Sequence, residues 1–132
     1  MSESNVEAAK AICARWARGD FSDVSWADES IEFETRDFPD SVATTGIPAL
    51  GEAWGNFLRE WEGFRTVGEE YFEFGESVLV LTTFRGRAKQ SGVLADGMAG
   101  SCVFTFRDGL ATRLVLYNNR ERARAELGEA LG

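Results

Sequence analysis

The sequence predicts one α+β domain in which N-terminal helices are wrapped by a strongly curved, mostly antiparallel sheet. In the first half of the 132-residue chain, apolar residues recur at helical spacing. The second half alternates apolar and polar residues in segments separated by glycine-containing turns. Helices followed by a run of strands are typical of the α+β class. Because long antiparallel ribbons twist and coil, we expect a cone-like α+β barrel spanning residues 1–132 as a single domain.

Two helices are predicted before the main sheet. The first spans residues 5–18, begins with a Ser4/Glu7 capping box and ends at Gly19. The second begins at Pro48 and ends at Gly63. Each has one apolar stripe at steps of three and four, formed by Val6, Ala9, Cys13 and Trp16 in the first helix and by Leu50, Trp54, Phe57 and Trp61 in the second.

The segment between these helices is predicted to contain one helical turn and one strand. Residues 20–30 are polar and turn-rich, with Phe21, Val24 and Trp26 as anchors. Ile31–Thr35 alternates apolar and polar residues and is predicted to be a short strand. Residues 36–46 are predicted to be a loop that flanks the open end of the cone.

The remaining chain is predicted to form an antiparallel meander and a last helix. Gly75 and Gly109 supply tight turns, and residues 85–97 form either a long hairpin tip or a bulged strand pair. Of the two side-chain rows on the second strand of the meander, we expect the more apolar one, with Val78 and Val80, to face the helices. The predicted elements are Phe64–Phe74, Ser77–Arg87, Met98–Phe106, Ala111–Tyr117 and the helix Arg120–Leu127.

Composition excludes several classes of function. A net charge of −8 argues against nucleic-acid binding and against binding to anionic membranes. The chain has no histidine and only two cysteines, without a CxxC motif, which excludes histidine-based triads and the usual zinc sites. No glycine-rich phosphate loop follows a strand. We therefore expect no cofactor and no metal and, since no signal peptide or membrane span is evident, a cytoplasmic protein.

Several segments together resemble the SnoaL-like branch of the nuclear transport factor 2-like superfamily. They are WADESIEF, the Gly-Ile-Pro helix start, the long meander and the ending FRDGLATRLVLYNNRERARAELG. The hairpin RGRAKQSG and the ending are similar to those of a bacterial subgroup. The resemblance implies a curved sheet wrapped on helices and a homodimer packed through the sheet. It leaves the activity open, because the superfamily contains isomerases, polyketide cyclases, epoxide hydrolases, dehydratases and non-catalytic members.

Similarity to the ketosteroid-isomerase relatives implies a set of catalytic residues. Glu34 falls near their carboxylate general base, Trp16 near a hydrogen-bonding tyrosine, and Asn118 at a pocket-lining position. Cys102 falls where those relatives have a protonated aspartate, but a thiol is a weak donor, so steroid isomerisation is not expected. The expected walls of a binding site for a small hydrophobic ligand are Trp26, Trp54, Phe57, Trp61, Cys102 and Phe104.

Each of these assignments has an alternative. Strict alternation in Ile31–Thr35 places Glu34 in solvent, and a one-residue bulge would bring it inside. The aromatic stripes could be simple core packing, although four tryptophans in so small a domain favour a ligand site. A water-activating arrangement like that of the epoxide hydrolases would need Asp96 and Arg85 or Arg87 beside Glu34, and the expected strand parity turns these arginines outward.

Two hypotheses follow for function. The first is a cofactor-free isomerase, cyclase or hydrolase of a small hydrophobic metabolite, with a buried carboxylate as the acid or base. The second is a non-catalytic binding or scaffold protein with the same fold. A homodimer is expected in both, because the outer sheet row is strongly apolar. That row contains Leu79, Leu81, Val103, Thr105, Val115 and Tyr117.

Overall fold

The computed structural model describes residues 5–36, 42–117, 120–121 and 123–125. Within them are two helices and six strands. The helices are α1 (Asn5–Ala17) and α2 (Ile47–Leu58). The strands are β1 (Ala27–Arg36), β2 (Ala43–Thr45), β3 (Trp61–Phe74), β4 (Ser77–Ala88), β5 (Leu94–Arg107) and β6 (Leu110–Tyr117). A last helical turn includes residues 120–121 and 123–125.

The six strands form one curved, open sheet in the order β2-β1-β6-β5-β4-β3. All pairings are antiparallel except that of β1 with β6, which is parallel. This confirms the predicted α+β class and the mostly antiparallel sheet. Residues Ala43–Thr45, expected to lie in a loop, pair instead with β1 as a short edge strand.

The tight turns follow the glycines as predicted. Asp108 and Gly109 both have positive φ, 52° and 82°, which suits a two-residue hairpin between β5 and β6. Gly75, with φ 59°, turns β3 into β4. The β4–β5 hairpin is a bulged strand pair, with a register shift next to Phe84 and positive φ at Gly97.

Two element boundaries differ from the predictions. Helix α2 ends at Leu58, and Trp61 begins β3, where it pairs with Ala88. The backbone N–H of Lys89 donates to the Glu60 carbonyl at 2.9 Å, so pairing with β4 takes over where the helix stops. Residues 20–30 contain one hydrogen-bonded turn, in which the Ala27 N–H donates to the Val24 carbonyl at 3.0 Å. β1 begins directly after it at Ala27 and is longer than predicted.

The sheet has two chemically distinct faces. The face on which α1 and α2 pack, here called the covered face, contributes Val78, Val80, Cys102, Phe104 and Leu114 to the main core. This confirms the predicted inward row of β4. The opposite face, here called the outer face, carries a second apolar cluster made of Leu79, Leu81, Val103, Val115, Tyr117 and Ala123.

The outer cluster is buried within a single chain, which removes one reason for expecting a homodimer. Leu79 and Leu81 are at most 2% exposed within a single chain, and Ala123 of the last helical turn belongs to the same cluster. Arg120, also in that turn, donates from Nε to the Gly100 carbonyl at 3.0 Å and from Nη2 to the Thr82 carbonyl at 2.6 Å. The outer row is therefore covered largely within the chain and does not by itself require a partner subunit.

Candidate functional site: an aromatic cluster on the covered face

Trp16 lies at the centre of a cluster of aromatic rings between the helices and the sheet. Its side chain comes from the last turn of α1 and is 2% exposed. Ring centroids of four neighbours lie within about 6 Å, a distance at which aromatic pairs attract one another. These neighbours are Trp54 at 5.5 Å, Phe104 at 5.7 Å, Phe21 at 6.0 Å and Trp26 at 6.1 Å.

The cluster continues towards the end of α2 and the start of β3. Trp54 contacts Phe57 at 6.3 Å, and Phe57 in turn contacts Phe64 at 5.1 Å and Trp61 at 6.3 Å. Phe64 reaches Phe84 of β4 at 5.9 Å. Phe57, Trp61, Phe64 and Phe84 are only half-buried, in contrast to Trp16 and Trp54. The cluster thus runs from a buried centre to a partly exposed end.

Every aromatic wall residue named in the sequence analysis lies in this cluster. Trp26, Trp54, Phe57, Trp61 and Phe104 are joined by ring contacts, directly or through Trp16. Trp61 reaches it from β3 instead of from the helix stripe, because its position just after α2 leaves its ring beside Phe57. Phe21 and Phe64 complete the cluster, although the sequence analysis did not name them as site residues.

The polar groups of the cluster are few. The Trp26 indole N–H donates to the Asp23 carbonyl at 2.8 Å. Within the described part of the chain, the buried side-chain polar atoms without a hydrogen-bond partner are Thr44 Oγ1, Ser101 Oγ and Arg113 Nε, and none of them belongs to an aromatic residue of the cluster. Thr82 is 4% exposed and follows Val80 on the covered face of β4. The cluster is therefore almost wholly apolar, and its one observed indole hydrogen bond is that of Trp26 to a backbone carbonyl.

A second polar group lies where α1 crosses β3. The Tyr71 hydroxyl and the Cys13 thiol influence each other's pKa. Burial raises the pKa of Cys13 to about 11, and burial also raises the pKa of Tyr71. Cys102, on β5 of the same core, has its pKa raised well above the ordinary value by burial. All three groups are neutral near pH 7, so none of them is an acid or base with a pKa tuned to that pH.

The sequence analysis did not single out Tyr71, because a bulge changes the alternation of its strand. Gly68 pairs with Thr82, whereas Glu70 pairs with Leu81, so Glu69 is an extra residue on β3. The bulge reverses which positions face the helices and brings Tyr71 onto the covered face. A Cβ on Gly68 would lie 2.2 Å from the Tyr71 hydroxyl oxygen, so the close approach of Tyr71 requires glycine at this position. Gly68 is therefore the feature of the sequence that could have indicated where Tyr71 lies.

Glu34 does not lie beside Trp16. Its neighbours Ile31 and Phe33 face the main core, and Glu34 pairs with Val115 of the outer cluster. The register shift of β1 falls between Ala27 and Glu32, too early to turn Glu34 inward. The expectation that the Glu34 carboxylate lies on the covered face is therefore wrong. Side chains at the end of β1 alternate regularly between the two faces, which places Glu34 on the outer one.

Two arginines hold the Glu34 carboxylate on the outer face. Arg36 Nη2 lies 2.7 Å from Glu34 Oε2, and Arg113 Nη2 lies 3.3 Å from Oε1. The hydrogen bond from Arg36, together with the charge of Arg113, lowers the pKa of Glu34, although partial burial opposes the shift. A general base in a dry site needs the opposite, a raised pKa.

The remaining predicted site residues are distributed as follows. Cys102 is buried on the covered face, as the resemblance implied. Asn118 lies outside the described residues. Arg85 Nε lies 3.8 Å from Asp96 Oδ1 in an ion pair on the β4–β5 hairpin, and both side chains are exposed to solvent. Among the described residues, no group of three or more potential ligands could hold a metal ion.

Comparison with known sequences gives no match, either to a protein-family model or to a curated protein. Comparison with solved structures gives many. TerC, co-crystallised with polyporic acid, aligns with a TM-score of 0.74 and 24% identity over 95% of this chain and 98% of its own. An NTF2-like protein of unknown function from Burkholderia pseudomallei aligns with a TM-score of 0.77 and 16% identity, covering 94% and 97%.

A third similar structure connects the fold with the resemblance noted in the sequence. It is described as a SnoaL-like polyketide cyclase, comes from Mesorhizobium loti, and aligns with a TM-score of 0.72 and 18% identity over 87% of this chain and 99% of its own. Identities below 25% establish the architecture and leave the activity open. On this evidence, the chain has the α+β fold that these SnoaL-like and NTF2-like structures share.

Proposed function

We propose that this protein binds a small, flat, hydrophobic molecule against the aromatic cluster of the covered face. The observation that carries the proposal is the run of contacting rings from buried Trp16 to half-exposed Trp61. Aromatic side chains with a few fixed polar groups are the usual lining of small-molecule sites. A ligand entering at the Trp61 end would stack on rings that are already partly exposed.

The position of Glu34 favours binding over acid–base catalysis. In the described part of the chain, the buried polar or charged residues are Thr82 and Ser101, and neither is a carboxylate. A cofactor-free isomerase, cyclase or hydrolase needs a group that accepts a proton near neutral pH. Because Glu34 is held by Arg36 and Arg113 on the other face, the non-catalytic alternative is the one that we carry forward.

Ligand binding is tested by equilibrium dialysis against a panel of flat bicyclic and tricyclic aromatics. Saturable binding of one ligand per chain, weakened in Trp54→Ala, is the expected result. The matched control is Leu110→Ala, since Leu110 is 36% exposed on β6 and outside the cluster. Absence of saturable binding across the panel, with both variants folded, would overturn the proposal and leave core packing as the role of the rings.

A homodimer remains part of this proposal, on a narrower surface than the sequence suggested. Val67, Phe72 and Phe74 are 36–43% exposed on edge strand β3, and Phe72 pairs with Leu79 of the outer face. Packing of these side chains against a second copy would bury them. Light scattering should show a dimer that Phe72→Glu dissociates, while a monomeric wild type at high micromolar concentration would contradict it.

No helix among the described residues is both long enough and apolar enough to cross a membrane.

A further inference from the structure

The β4–β5 hairpin exposes a group of apolar side chains. Val93 is 63% exposed, Leu94 55% and Met98 50%, and these are the three most exposed large apolar side chains in the described part of the chain. A single exposed apolar residue is ordinary on a protein surface, whereas several together mark a contact surface. The hairpin is therefore a candidate for contact with an apolar partner.

Hydrogen bonds hold the tip of this hairpin in one shape. The Ala88 N–H donates to the Val93 carbonyl at 3.0 Å, and the Gly92 N–H donates to the Ala88 carbonyl at 2.8 Å. Arg87 Nη1 also donates to the Gly92 carbonyl, at 2.8 Å. Because the turn is already ordered, little conformational entropy is lost when its apolar side chains become covered.

The hairpin adjoins the half-exposed end of the aromatic cluster. Trp61 pairs with Ala88, and Phe84 pairs with Met98. A Cβ on Gly86 would lie 3.1 Å from Cε3 of the Trp61 ring, so this ring packs directly on the hairpin backbone. The apolar hairpin and the open end of the cluster thus form one end of the molecule, here called the hairpin end.

The hairpin also gathers basic side chains in an acidic chain. Those that are exposed on it are Arg85, Arg87 and Lys89. The acidic residue Asp96 pairs with Arg85, and Glu60 and Glu62 on either side of Trp61 reduce the local excess of positive charge. The net charge of −8 describes the whole chain. At physiological ionic strength, charges more than about 8 Å apart are largely screened, so distant carboxylates act weakly at this end.

We propose that the hairpin end docks on the surface of a lipid bilayer that contains anionic lipids. Val93 and Leu94 would enter the boundary between headgroups and acyl chains, and Trp61 would lie at headgroup depth, where tryptophan is favoured. Arg87 and Lys89 would contact the lipid phosphates. Because only a few side chains insert, the contact is reversible. The inference goes beyond the proposed function, since lipid contact requires no bound aromatic ligand.

Docking at this end would also give the proposed ligand a route into the protein. A flat hydrophobic molecule concentrates in the bilayer, because water solvates its surface poorly. With the half-exposed rings held at the bilayer surface, the molecule would pass to the aromatic cluster without crossing water. This step alone rests on the proposed function.

Co-sedimentation of the full chain with lipid vesicles tests the proposal. The vesicles are phosphatidylcholine alone, or phosphatidylcholine and phosphatidylglycerol in equal parts. We expect binding to both and about five-fold tighter binding to the mixed vesicles. Leu94→Asp should weaken binding to both about ten-fold or more, because it replaces an inserting apolar side chain by a charge. Leu110→Asp is the matched control, since Leu110 is exposed at the opposite end of β5 and should not contact lipid.

Two further measurements assign the charged and aromatic contacts. Lys89→Glu should weaken binding to the mixed vesicles about five-fold or more and leave binding to phosphatidylcholine nearly unchanged. Brominated lipids, which quench tryptophans that touch the bilayer, should quench the bound protein. Most of that quenching should be lost in Trp61→Phe, because Trp16 and Trp54 are buried.

Each outcome decides one point. Absence of binding to either vesicle, or equal losses in Leu94→Asp and Leu110→Asp, overturns the lipid contact. If vesicles do not bind and Leu94→Asp dissociates a dimer in light scattering, the hairpin end contacts protein instead. Leu94→Asp should bind ligands of the aromatic panel like the wild type in dialysis. Vesicle binding without any binding of the panel would leave the docking surface standing and overturn the proposed function alone.

Discussion

Val103 and Phe104 are neighbours on β5 and face opposite sides of the sheet, and their surroundings differ in kind. Phe104 is fully buried among Trp16, Trp26 and Phe106. Val103 belongs to the outer cluster, whose β1–β6 end is bordered by Glu34 and two arginines. One face is stabilised by ring packing and the other by apolar packing with charged groups at its border.

This difference suggests a division of roles. Ion pairs and arginine-to-carbonyl hydrogen bonds fix the elements of the outer face in register, so that face is suited to structure. The covered face carries a cluster of contacting aromatic rings that runs from buried Trp16 to partly exposed Trp61. An aromatic core with a partly exposed end is suited to binding a small molecule. Four variants test the comparison.

Truncation of Phe104 should have the largest effect. Phe104→Ala removes a fully buried ring that contacts three others and leaves a cavity between α1 and β5. We expect the free energy of unfolding to fall by about 3–5 kcal/mol, measured by urea denaturation. Leu110→Ala, at a half-exposed position of β6, should cost less than about 1 kcal/mol. Similar losses for both variants would contradict the central position of Phe104.

Removal of the Arg120 side chain should have the next largest effect. Its guanidinium bonds the carbonyls of Thr82 and Gly100 and also Glu69 Oε1 at 3.2 Å, so it joins the last helical turn to β3, β4 and β5. Hydrogen bonds from charged donors contribute about 1.5–3 kcal/mol, and we expect Arg120→Ala to lose about 2 kcal/mol in urea denaturation.

The control for Arg120 is a neighbour with a solvated ion pair. Arg124 pairs with Glu121 at 3.5 Å, and both side chains are at least half exposed. Arg124→Ala should therefore change the free energy of unfolding by less than about 0.5 kcal/mol. An equal loss in the two variants would mean that helix propensity, and not the contacts of Arg120 with the sheet, determines the result.

The covered face should weaken above pH 9. Burial raises the pKa of Cys13 from 9.0 to about 11, so the unfolded chain loses this proton before the folded chain does. Stability is then complete below pH 9 and falls as the pH rises from 9 towards 11, by about 1 kcal/mol at pH 10 from this residue. Thermal unfolding between pH 8 and 10.5 measures the slope. Cys13→Ala should make it shallower, and an unchanged slope would contradict the assignment.

Much of the fold could be predicted from the sequence, and so could the packing of the aromatic residues, but the positions of Tyr71 and Glu34 could not. Helical spacing, glycine turns and the apolar row of β4 follow from local patterns, and the structure confirms them. The aromatic walls were predictable because large rings at helical spacing almost always face a core. The orientation of Tyr71 could not be predicted, because a bulge at Glu69 turns Tyr71 towards the helices. Glu34 has no such bulge beside it, so its side chain stays on the outer face. Bulges depend on pairing between distant strands, which local patterns do not encode.

Glu34→Gln should have the smallest effect and should act at the opposite end of the pH scale. Arg36 and Arg113 lower the pKa of Glu34 below its ordinary 4.5, so the stability that this carboxylate contributes is present above pH 4.5 and is lost as the pH falls below that value. Because Glu34 is 28% exposed, we expect less than about 1 kcal/mol at pH 7.

The same variant separates the two faces in function as well as in stability. Glu34→Gln should flatten the acid limb of the unfolding profile and leave the affinity for a ligand found in the aromatic panel unchanged, since Phe33 and not Glu34 faces the aromatic cluster. Cys13→Ala should change only the alkaline limb. A loss of ligand affinity in Glu34→Gln at pH 7, with the fold intact, would mean that the carboxylate acts on the ligand after all and would return the catalytic hypothesis to consideration.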